Sequence, residues 1–233
     1  MSEDIAKFNA AQAALEYVKD GMIVGLGTGS TSAHFVRQLG ERVRQGLRVK
    51  GVPTSEATRN LAEQVGVPLL EISQISSIDV DVDGADEIDP AFRLIKGGGG
   101  ALLREKIVAA ASKKMVVIAD ESKWVETLGA FPLPVEVTRF GFALTQERVS
   151  QALRTTGCAG AEVVLRVSGK ANEPVITDGG NYILDAHAQR IPDPEALGAA
   201  LKNIAGVVEH GLFIGLSQVV ILGKAKGADV RTL

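Results

Sequence analysis

Short apolar runs alternate with segments of helical periodicity through the first half of the chain, and this alternation most constrains the fold. Apolar residues at helical spacing predict helices at about residues 5–18, 32–43, 55–65 and 101–111. Apolar runs predict strands at 22–26, 47–52, 78–82 and 115–119. Strands and helices in this order are typical of a mostly parallel sheet covered by helices on both faces. The sequence therefore predicts a doubly wound α/β domain.

The pattern changes after the proline-containing segment 131–134, which predicts a domain boundary. Strands are predicted at 135–137, 161–167, 181–185 and 207–209, helices at 146–155 and 194–203, and a turn at 168–170. This β-α-β-β-α-β order is that of a ferredoxin-like α+β domain. A last apolar strand at 218–222 is expected to return to the first domain. We therefore predict a large α/β catalytic domain at 1–130 and 206–233, and a small ferredoxin-like domain at 131–205.

Composition and charge restrict the class of protein. The 233 residues are 45% hydrophobic and carry a net charge of -3 without a basic stripe, so binding to nucleic acid is not expected. No apolar stretch approaches the ~20 residues of a membrane helix, and the N-terminus lacks the basic start of a secretory signal. One cysteine and three dispersed histidines offer no disulfide or zinc site. We expect a cytoplasmic protein that needs no metal and no cofactor.

The glycine-rich turn Gly25–Thr31 lies between a predicted strand and a predicted helix. Backbone amides in such a turn, together with the helix N-terminus, favour an anion, and Ser30 and Thr31 add hydroxyl donors. Ser30 stands where the dinucleotide-binding pattern has its third glycine, and Pro53 follows the second strand in place of an acid. Two interpretations remain, a loop that binds a small anion and a tight structural turn.

Six acidic residues occur within the twelve residues 78–89, at the end of the third predicted strand. The first part of this segment matches a calcium-binding EF-hand loop, but Pro90 stands where that loop needs a bidentate glutamate. A solvated acidic turn is the remaining structural alternative. Ligands of open α/β sheets bind at the carboxyl ends of strands. Asp83 and Asp86 are therefore candidate functional residues.

Two further segments have the composition of a substrate site. Lys96 is followed by four glycines that lead into a predicted helix, and such a run favours a loop whose amides lie against another group. Glu105 is in the first turn of that helix, where the helix dipole alone would also favour a glutamate. Lys123 follows the fourth strand, where a solvated lysine is the alternative interpretation.

Taken together, these segments resemble ribose-5-phosphate isomerases of the A type. The matching blocks are GLGTGST at 25–31, VDGADEID at 82–89, KGGGGALLREK at 96–106, ADESKWV at 119–125, FPLPVEV at 131–137, VITDGGNYILD at 175–185 and GVVEHGLF at 206–213. The resemblance implies that Glu105 is the catalytic base and that Asp83, Asp86 and Lys96 surround the reacting end of the sugar. The implied substrate-binding residues also include Thr28, Gly29, Ser30, Thr31, Gly84, Ala85, Gly97, Gly98, Gly99 and Lys123.

The resemblance also implies an activity, an aldose–ketose isomerisation of D-ribose 5-phosphate and D-ribulose 5-phosphate through an enediolate in the non-oxidative pentose phosphate pathway. It implies a homodimer or homotetramer that binds a small-molecule sugar phosphate. Two other functions remain open, an amino-sugar phosphate deaminase and a non-catalytic sugar-phosphate sensor. The combination of the Asp83/Asp86 pair with Lys96 and Glu105 disfavours a deaminase. A sensor would need an output module beyond the two predicted domains.

Overall fold

The computed structural model describes residues 2–169 and 172–233, so the last residue of the predicted turn at 168–170, Lys170, lies outside the described residues. The α-helices of these ranges are α1 (Ser2–Ala14), α2 (Ser30–Arg44), α3 (Glu56–Val65), α4 (Leu102–Ala110), α5 (Phe142–Thr155) and α6 (Pro194–Lys202). The strands are β1 (Ile23–Leu26), β2 (Lys50–Pro53), β3 (Val80–Asp83), β4 (Glu87–Ile88), β5 (Leu94–Ile95), β6 (Met115–Asp120), β7 (Leu133–Val137), β8 (Glu162–Leu165), β9 (Val167–Ser168), β10 (Glu173–Pro174), β11 (Tyr182–His187), β12 (Val207–His210), β13 (Leu212–Phe213), β14 (Ser217–Gly223) and β15 (Ala228–Thr232).

The chain divides into two compact units, each built from separate stretches of sequence. The first unit takes in the chain up to Ala85, together with Arg104–Trp124 and Gly215–Leu233, and the second consists of Asp86–Leu103 and Val125–Ile214. These ranges differ from the predicted domains at 1–130 with 206–233 and at 131–205. The difference arises because β5 pairs with β13 and β12 pairs with β7. Those pairings place residues 86–103 and 206–214 in the second unit.

A six-stranded sheet forms the centre of the first unit. Its order is β15-β14-β6-β3-β1-β2, and every neighbouring pair is parallel except β14 with β15. The core on one face includes Phe35 and Leu39 of α2, while Val108 of α4 packs with Ile78 and Val52 on the other. Helices on both faces of a mostly parallel sheet confirm the predicted doubly wound fold. The predicted last strand, β14, joins this sheet beside β6.

The second unit is built on a four-stranded antiparallel sheet of order β12-β7-β11-β8. The chain order β7-α5-β8-β11-α6-β12 is the predicted ferredoxin-like arrangement. Apolar residues of α5 and α6, among them Val149, Leu153, Leu197 and Leu201, pack in its core. A second small sheet of order β13-β5-β4 and the β9-β10 hairpin were not predicted. Across the described parts of the chain, no helix combines the length and the apolar character needed to span a membrane.

Candidate functional site

Asp83 joins the turn after β1 to the end of β3. Its Oδ1 accepts hydrogen bonds from the backbone N–H of Thr28 at 3.0 Å, from that of Gly84 at 2.7 Å and from Ser32 Oγ at 3.2 Å. The side chain is fully buried. The glycine turn and the acidic segment, which are far apart in sequence, therefore form one structure at the carboxyl edge of the parallel sheet, where such folds bind ligands.

The approach of the turn to Asp83 is close enough to require glycine at position 27. A Cβ added to Gly27 would lie 2.0 Å from Asp83 Oδ1 and 2.6 Å from Asp83 Cα. Because the second of these atoms is backbone, a side chain could be accommodated only if the turn moved away from β3. Gly27 is thus required by packing against a neighbouring strand rather than by its own backbone angles.

We expect Gly27→Ala to lower the melting temperature and the activity together, because the added methyl group separates the turn from Asp83. Overpacking of this kind typically costs about 1–3 kcal/mol. Thermal unfolding and turnover of the purified variant test this expectation. The control is Gly179→Ala, where the added Cβ would meet no described atom closer than 3.4 Å. A Gly27→Ala variant with wild-type stability and turnover would contradict the packing argument.

A cluster of hydroxyl groups at the start of α3 supports the same turn. Thr28 Oγ1 lies 2.7 Å from Thr54 Oγ1, 2.8 Å from Ser55 Oγ and 3.2 Å from Thr58 Oγ1. Thr58 Oγ1 donates to the carbonyl of Gly27 at 2.9 Å. The Thr28 side chain, predicted to bind substrate, therefore faces these hydroxyls. Thr54, Ser55 and Thr58 were not predicted as part of the site, although a Thr-Ser pair at a strand-to-helix junction is a recognisable capping signal.

The backbone of the turn then enters α2. Gly29 is the N-cap of this helix with φ 114°, and Ser30 is its first residue. Gly29 and Ser30 are exposed, whereas Thr31 is buried. Exposed backbone amides at the N-terminus of a helix are suited to an anionic group. This arrangement agrees with the anion-binding interpretation of the turn.

Asp81 lies on the same strand face as Asp83 but deeper in the fold. It pairs in register with Gly25 of β1 and is fully buried. A Cβ added to Gly25 would meet both Asp81 Oδ1 at 2.5 Å and Val108 Cγ1 at 2.6 Å. Asp81 therefore faces the layer that contains α4, whereas Asp83 is at the carboxyl end of the strand.

Glu105 and Lys123 are also in the first unit. Glu105 is in the first turn of α4 and only 4% exposed. The preceding residue, Arg104, donates to Glu56 Oε1 at 2.8 Å, and this hydrogen bond holds the pKa of Glu56 below its ordinary value. The ion pair joins the first turns of α3 and α4, but it is largely exposed and contributes little to stability. Lys123 is partly exposed, in a 3-10 turn directly after β6.

Asp86 and the glycine loop contact each other within the second unit. The backbone N–H of Gly98 donates to Asp86 Oδ2 at 2.8 Å, and a Cβ at Gly98 would lie 2.7 Å from Asp86 Oδ1. Lys96, which precedes the loop, is 2% exposed, and its Nζ is 5.4 Å from the centroid of the Phe213 ring. The loop amides therefore lie against a carboxylate, and glycine at position 98 makes that approach feasible.

Arg166, which was not predicted from the sequence, contacts the other side of the glycine loop. Its Nη1 donates to the carbonyl of Gly97 at 2.9 Å and to that of Gly98 at 3.2 Å. Its Nε donates to Asp185 Oδ2 at 2.8 Å, and Nη2 contacts Asp185 Oδ1. No local motif announces such an arginine, because it is 69 residues from Gly97 in sequence.

The acids of the calcium-like segment are engaged by the chain itself. Asp79, which takes the first position of that pattern, accepts a hydrogen bond from Lys113 Nζ at 2.7 Å and one from the backbone N–H of Ile23 at 2.9 Å. The Lys113 hydrogen bond holds the pKa of Asp79 below its ordinary value. Within residues 2–169 and 172–233, no cluster of three or more His, Cys, Asp or Glu side chains could hold a metal ion.

The predicted site residues are therefore distributed over both units. Thr28–Thr31, Asp83–Ala85, Glu105 and Lys123 belong to the first, and Asp86 and Lys96–Gly99 belong to the second. Asp83 contacts the turn at Thr28, and Asp86 contacts the glycine loop at Gly98.

Comparison with known proteins identifies the family. The model of a family described as ribose 5-phosphate isomerase A (phosphoriboisomerase A) matches residues 50–227. The chain belongs to this family. The ribose-5-phosphate isomerase A of Afipia carboxidovorans is 60% identical over 230 residues, which are 99% of this chain and 97% of the relative. The resemblance inferred from the sequence motifs is thereby confirmed.

Solved structures of ribose-5-phosphate isomerases have the same fold. The enzyme of Methanocaldococcus jannaschii aligns with a TM-score of 0.88 at 41% identity and covers 98% of both chains. A D-ribose-5-phosphate isomerase in complex with phospho-erythronic acid aligns with a TM-score of 0.91 at 38% identity over 100% of both chains. These alignments extend over both units.

Proposed function

We propose that this chain interconverts D-ribose 5-phosphate and D-ribulose 5-phosphate through an enediolate intermediate. The observation that carries the proposal is the near full-length match to proteins named ribose-5-phosphate isomerase A. The acids, lysines and glycine loops that the resemblance requires are all present in this sequence. The same match favours an isomerase over an amino-sugar phosphate deaminase or a sugar-phosphate sensor.

The direct test is to incubate the purified protein with ribose 5-phosphate and to measure ketose formation. We expect ribulose 5-phosphate to appear, the same equilibrium to be reached from either sugar, and deuterium from solvent to enter the product. Glucosamine 6-phosphate, assayed for release of ammonia, tests the deaminase alternative. Binding of ribose 5-phosphate without ketose formation would favour the sensor and overturn the proposal.

Glu105 is the proposed base that moves the proton between C2 and C1. A carboxylate suits this task because it can accept the proton from one carbon and return it to the neighbouring carbon. Its position in the first turn of α4 and its 4% exposure support this role, because a buried side chain on a helix has few alternative orientations. Bulk water then competes less for the transferred proton.

Asp83 and Asp86 are the proposed acid and base of ring opening. The natural substrate is mostly cyclic, so one group must protonate the ring oxygen while another accepts the anomeric proton. Both carboxylates are held by backbone amides, Asp83 by Thr28 and Gly84 and Asp86 by Gly98. Carboxylates fixed in this way require little reorganisation when the sugar binds.

Lys96 and amides of the glycine loop are the proposed groups that stabilise the enediolate. The intermediate carries negative charge on oxygen, and a lysine together with oriented N–H groups lowers its energy as an oxyanion hole does. Lys96 is almost completely buried, which strengthens its interaction with a developing charge. The chemistry then needs neither a metal ion nor an organic cofactor.

The amides at the start of α2 and the Lys123 ammonium group are the proposed partners of the phosphate. We expect Lys123→Ala to raise KM about tenfold while kcat changes by less than about threefold, because a contact made equally in ground and transition states affects KM alone. Steady-state kinetics measure both constants. Lys50→Ala, which removes an exposed lysine at the starting end of β2, is the control. A fall in kcat at constant KM would instead give Lys123 a part in the chemistry.

The assembly and location of the protein are further parts of the proposal. We propose a cytoplasmic homodimer or homotetramer that acts in the non-oxidative pentose phosphate pathway. The family membership supports these assignments. Light scattering of the purified protein measures the oligomeric state.

A further inference from the structure

Two consecutive carbonyl groups of the glycine loop converge on a single guanidinium. Arg166 Nη1 lies 2.9 Å from Gly97 O and 3.2 Å from Gly98 O. The loop begins with a positive φ of 107° at Gly97. A run of glycines has many accessible conformations, so an external group that engages two of its peptide units restricts it strongly. Arg166 is therefore a candidate to determine the conformation of this loop.

The guanidinium is itself held in place by the sheet of the second unit. Asp185 of β11 engages it through both carboxylate oxygens, and the two side chains are only 15% and 16% exposed. The backbone N–H of Arg166 donates to Ile183 O at 2.8 Å, next to the β8–β11 pairing. A two-point contact between arginine and carboxylate fixes orientation as well as distance. Arg166 can thus transmit the geometry of the sheet to the loop.

The geometry of the peptide bond determines what this contact does. In a trans peptide the C=O and the N–H point in opposite directions. When the carbonyls of Gly97 and Gly98 point at Arg166, the N–H groups of Gly98 and Gly99 point away from it. The N–H of Gly98 donates to Asp86 Oδ2 at 2.8 Å, and the same peptide geometry is expected to turn the N–H of Gly99 away from Arg166. The contacts of Arg166 therefore determine the direction in which the loop amides point.

We propose that Arg166, held by Asp185, is a positioning residue of the isomerase reaction. It orients the glycine loop so that the Gly98 amide holds the carboxylate of Asp86 in place. This inference rests on the proposed function and adds a residue pair to it. The loop amides and the Asp86 carboxylate interact with charge that develops in the transition state, and the strength of that interaction depends on their positions. A shift of these groups therefore lowers turnover more than it weakens substrate binding.

The test compares Arg166→Lys and Asp185→Asn with the wild type in kcat, KM and melting temperature. Lysine keeps the charge but not the planar fork that reaches Asp185 and two carbonyls together. We expect kcat to fall about 10- to 100-fold while KM changes by less than about threefold. Arg154→Lys is the matched control, because Arg154 belongs to the same unit and pairs with Glu147 on the surface of α5. It should leave both kinetic constants unchanged.

A double-mutant cycle with Asp86→Asn separates positioning from a general loss of stability. If Arg166 acts through the loop and Asp86, Arg166→Lys in the Asp86→Asn background should lower kcat by about threefold or less. Addition of guanidinium ion at a non-denaturing concentration to Arg166→Ala should restore part of its kcat, while urea at the same concentration should not. Should Arg166→Lys fail to fold, Asp185→Asn carries the same cycle.

The outcomes distinguish the inference from the proposed function. A wild-type protein that does not isomerise ribose 5-phosphate would overturn both. An active wild type whose Arg166→Lys and Asp185→Asn variants keep normal kcat would overturn the inference alone. Equal losses of kcat in the wild-type and Asp86→Asn backgrounds would do the same, because Arg166 would then affect turnover without acting through Asp86.

Discussion

Glu105→Gln should lose nearly all isomerase activity while the protein stays folded and still binds the sugar phosphate. The amide has the size of the carboxylate but cannot accept the proton from carbon. Removal of a general base typically lowers the rate by roughly 10² to 10⁴. Because the side chain is buried in the first turn of α4, the substitution changes chemistry more than shape. Turnover, analogue binding and melting temperature should each be measured on the same preparation.

The analogue for this measurement is phospho-erythronic acid, which a relative binds in its solved structure. The matched control is Glu63→Gln, which makes the same chemical change at an exposed position of α3. We expect the control to turn over at the wild-type rate. Near-normal turnover of Glu105→Gln would remove Glu105 from the mechanism. Loss of both analogue binding and thermal stability would show that the residue supports the fold instead.

Asp83→Asn and Asp81→Asn should have different consequences, although the two side chains occupy the same face of β3. Asp83 ends the strand and contacts the Thr28 turn, whereas Asp81 is two residues, about 6.6 Å, further back. We expect Asp83→Asn to lower turnover on the mostly cyclic substrate by at least about tenfold, as loss of an acid–base group does. Asp81→Asn should alter mainly the melting temperature, because Asp81 faces the α4 layer.

Turnover and thermal unfolding should be measured for both variants. Because both make the same change of aspartate to asparagine, a difference between them reflects the position of the residue on the strand. An open-chain aldehyde substrate extends the test, since a defect in ring opening should be smaller with a sugar that has no ring to open. If Asp81→Asn were inactive but stable while Asp83→Asn turned over normally, the reaction would take place deeper in the sheet than proposed.

The architecture of both units could be predicted from the sequence, because the patterns that indicate helices and strands lie within short segments of the chain. Apolar periodicity identified the strands of the parallel sheet, and the order of elements identified the ferredoxin-like arrangement. The two-residue strands β4, β5 and β13 could not be predicted, because two residues have no measurable period and because the β5–β13 pairing joins distant parts of the chain. The pairings of β5 with β13 and of β12 with β7 explain why the unit boundaries differ from the predicted domain boundaries.

The candidate site was predictable to the extent that its residues form motifs. Asp83, Glu105 and the glycine loops occur in short segments with a recognisable chemical composition. The orientation of the Thr28 side chain was not predictable, since it depends on the hydroxyl groups of Thr54 and Ser55, which come close only after folding. The contact of Arg166 with the glycine loop has the same origin, because it joins residues that no sequence pattern relates.

The position of β14 has a consequence for how the protein is made. This strand lies beside β6 in the central sheet and pairs Ile221 with Ile118, so the sheet is completed only by a segment far downstream of β6 in the chain. Until then β6, whose residues are all buried in the finished protein, presents an open apolar edge on the growing chain. Contacts of such long sequence separation slow folding and lengthen the time in which nascent chains can aggregate. Truncation before residue 217 should therefore yield insoluble protein rather than a smaller stable domain.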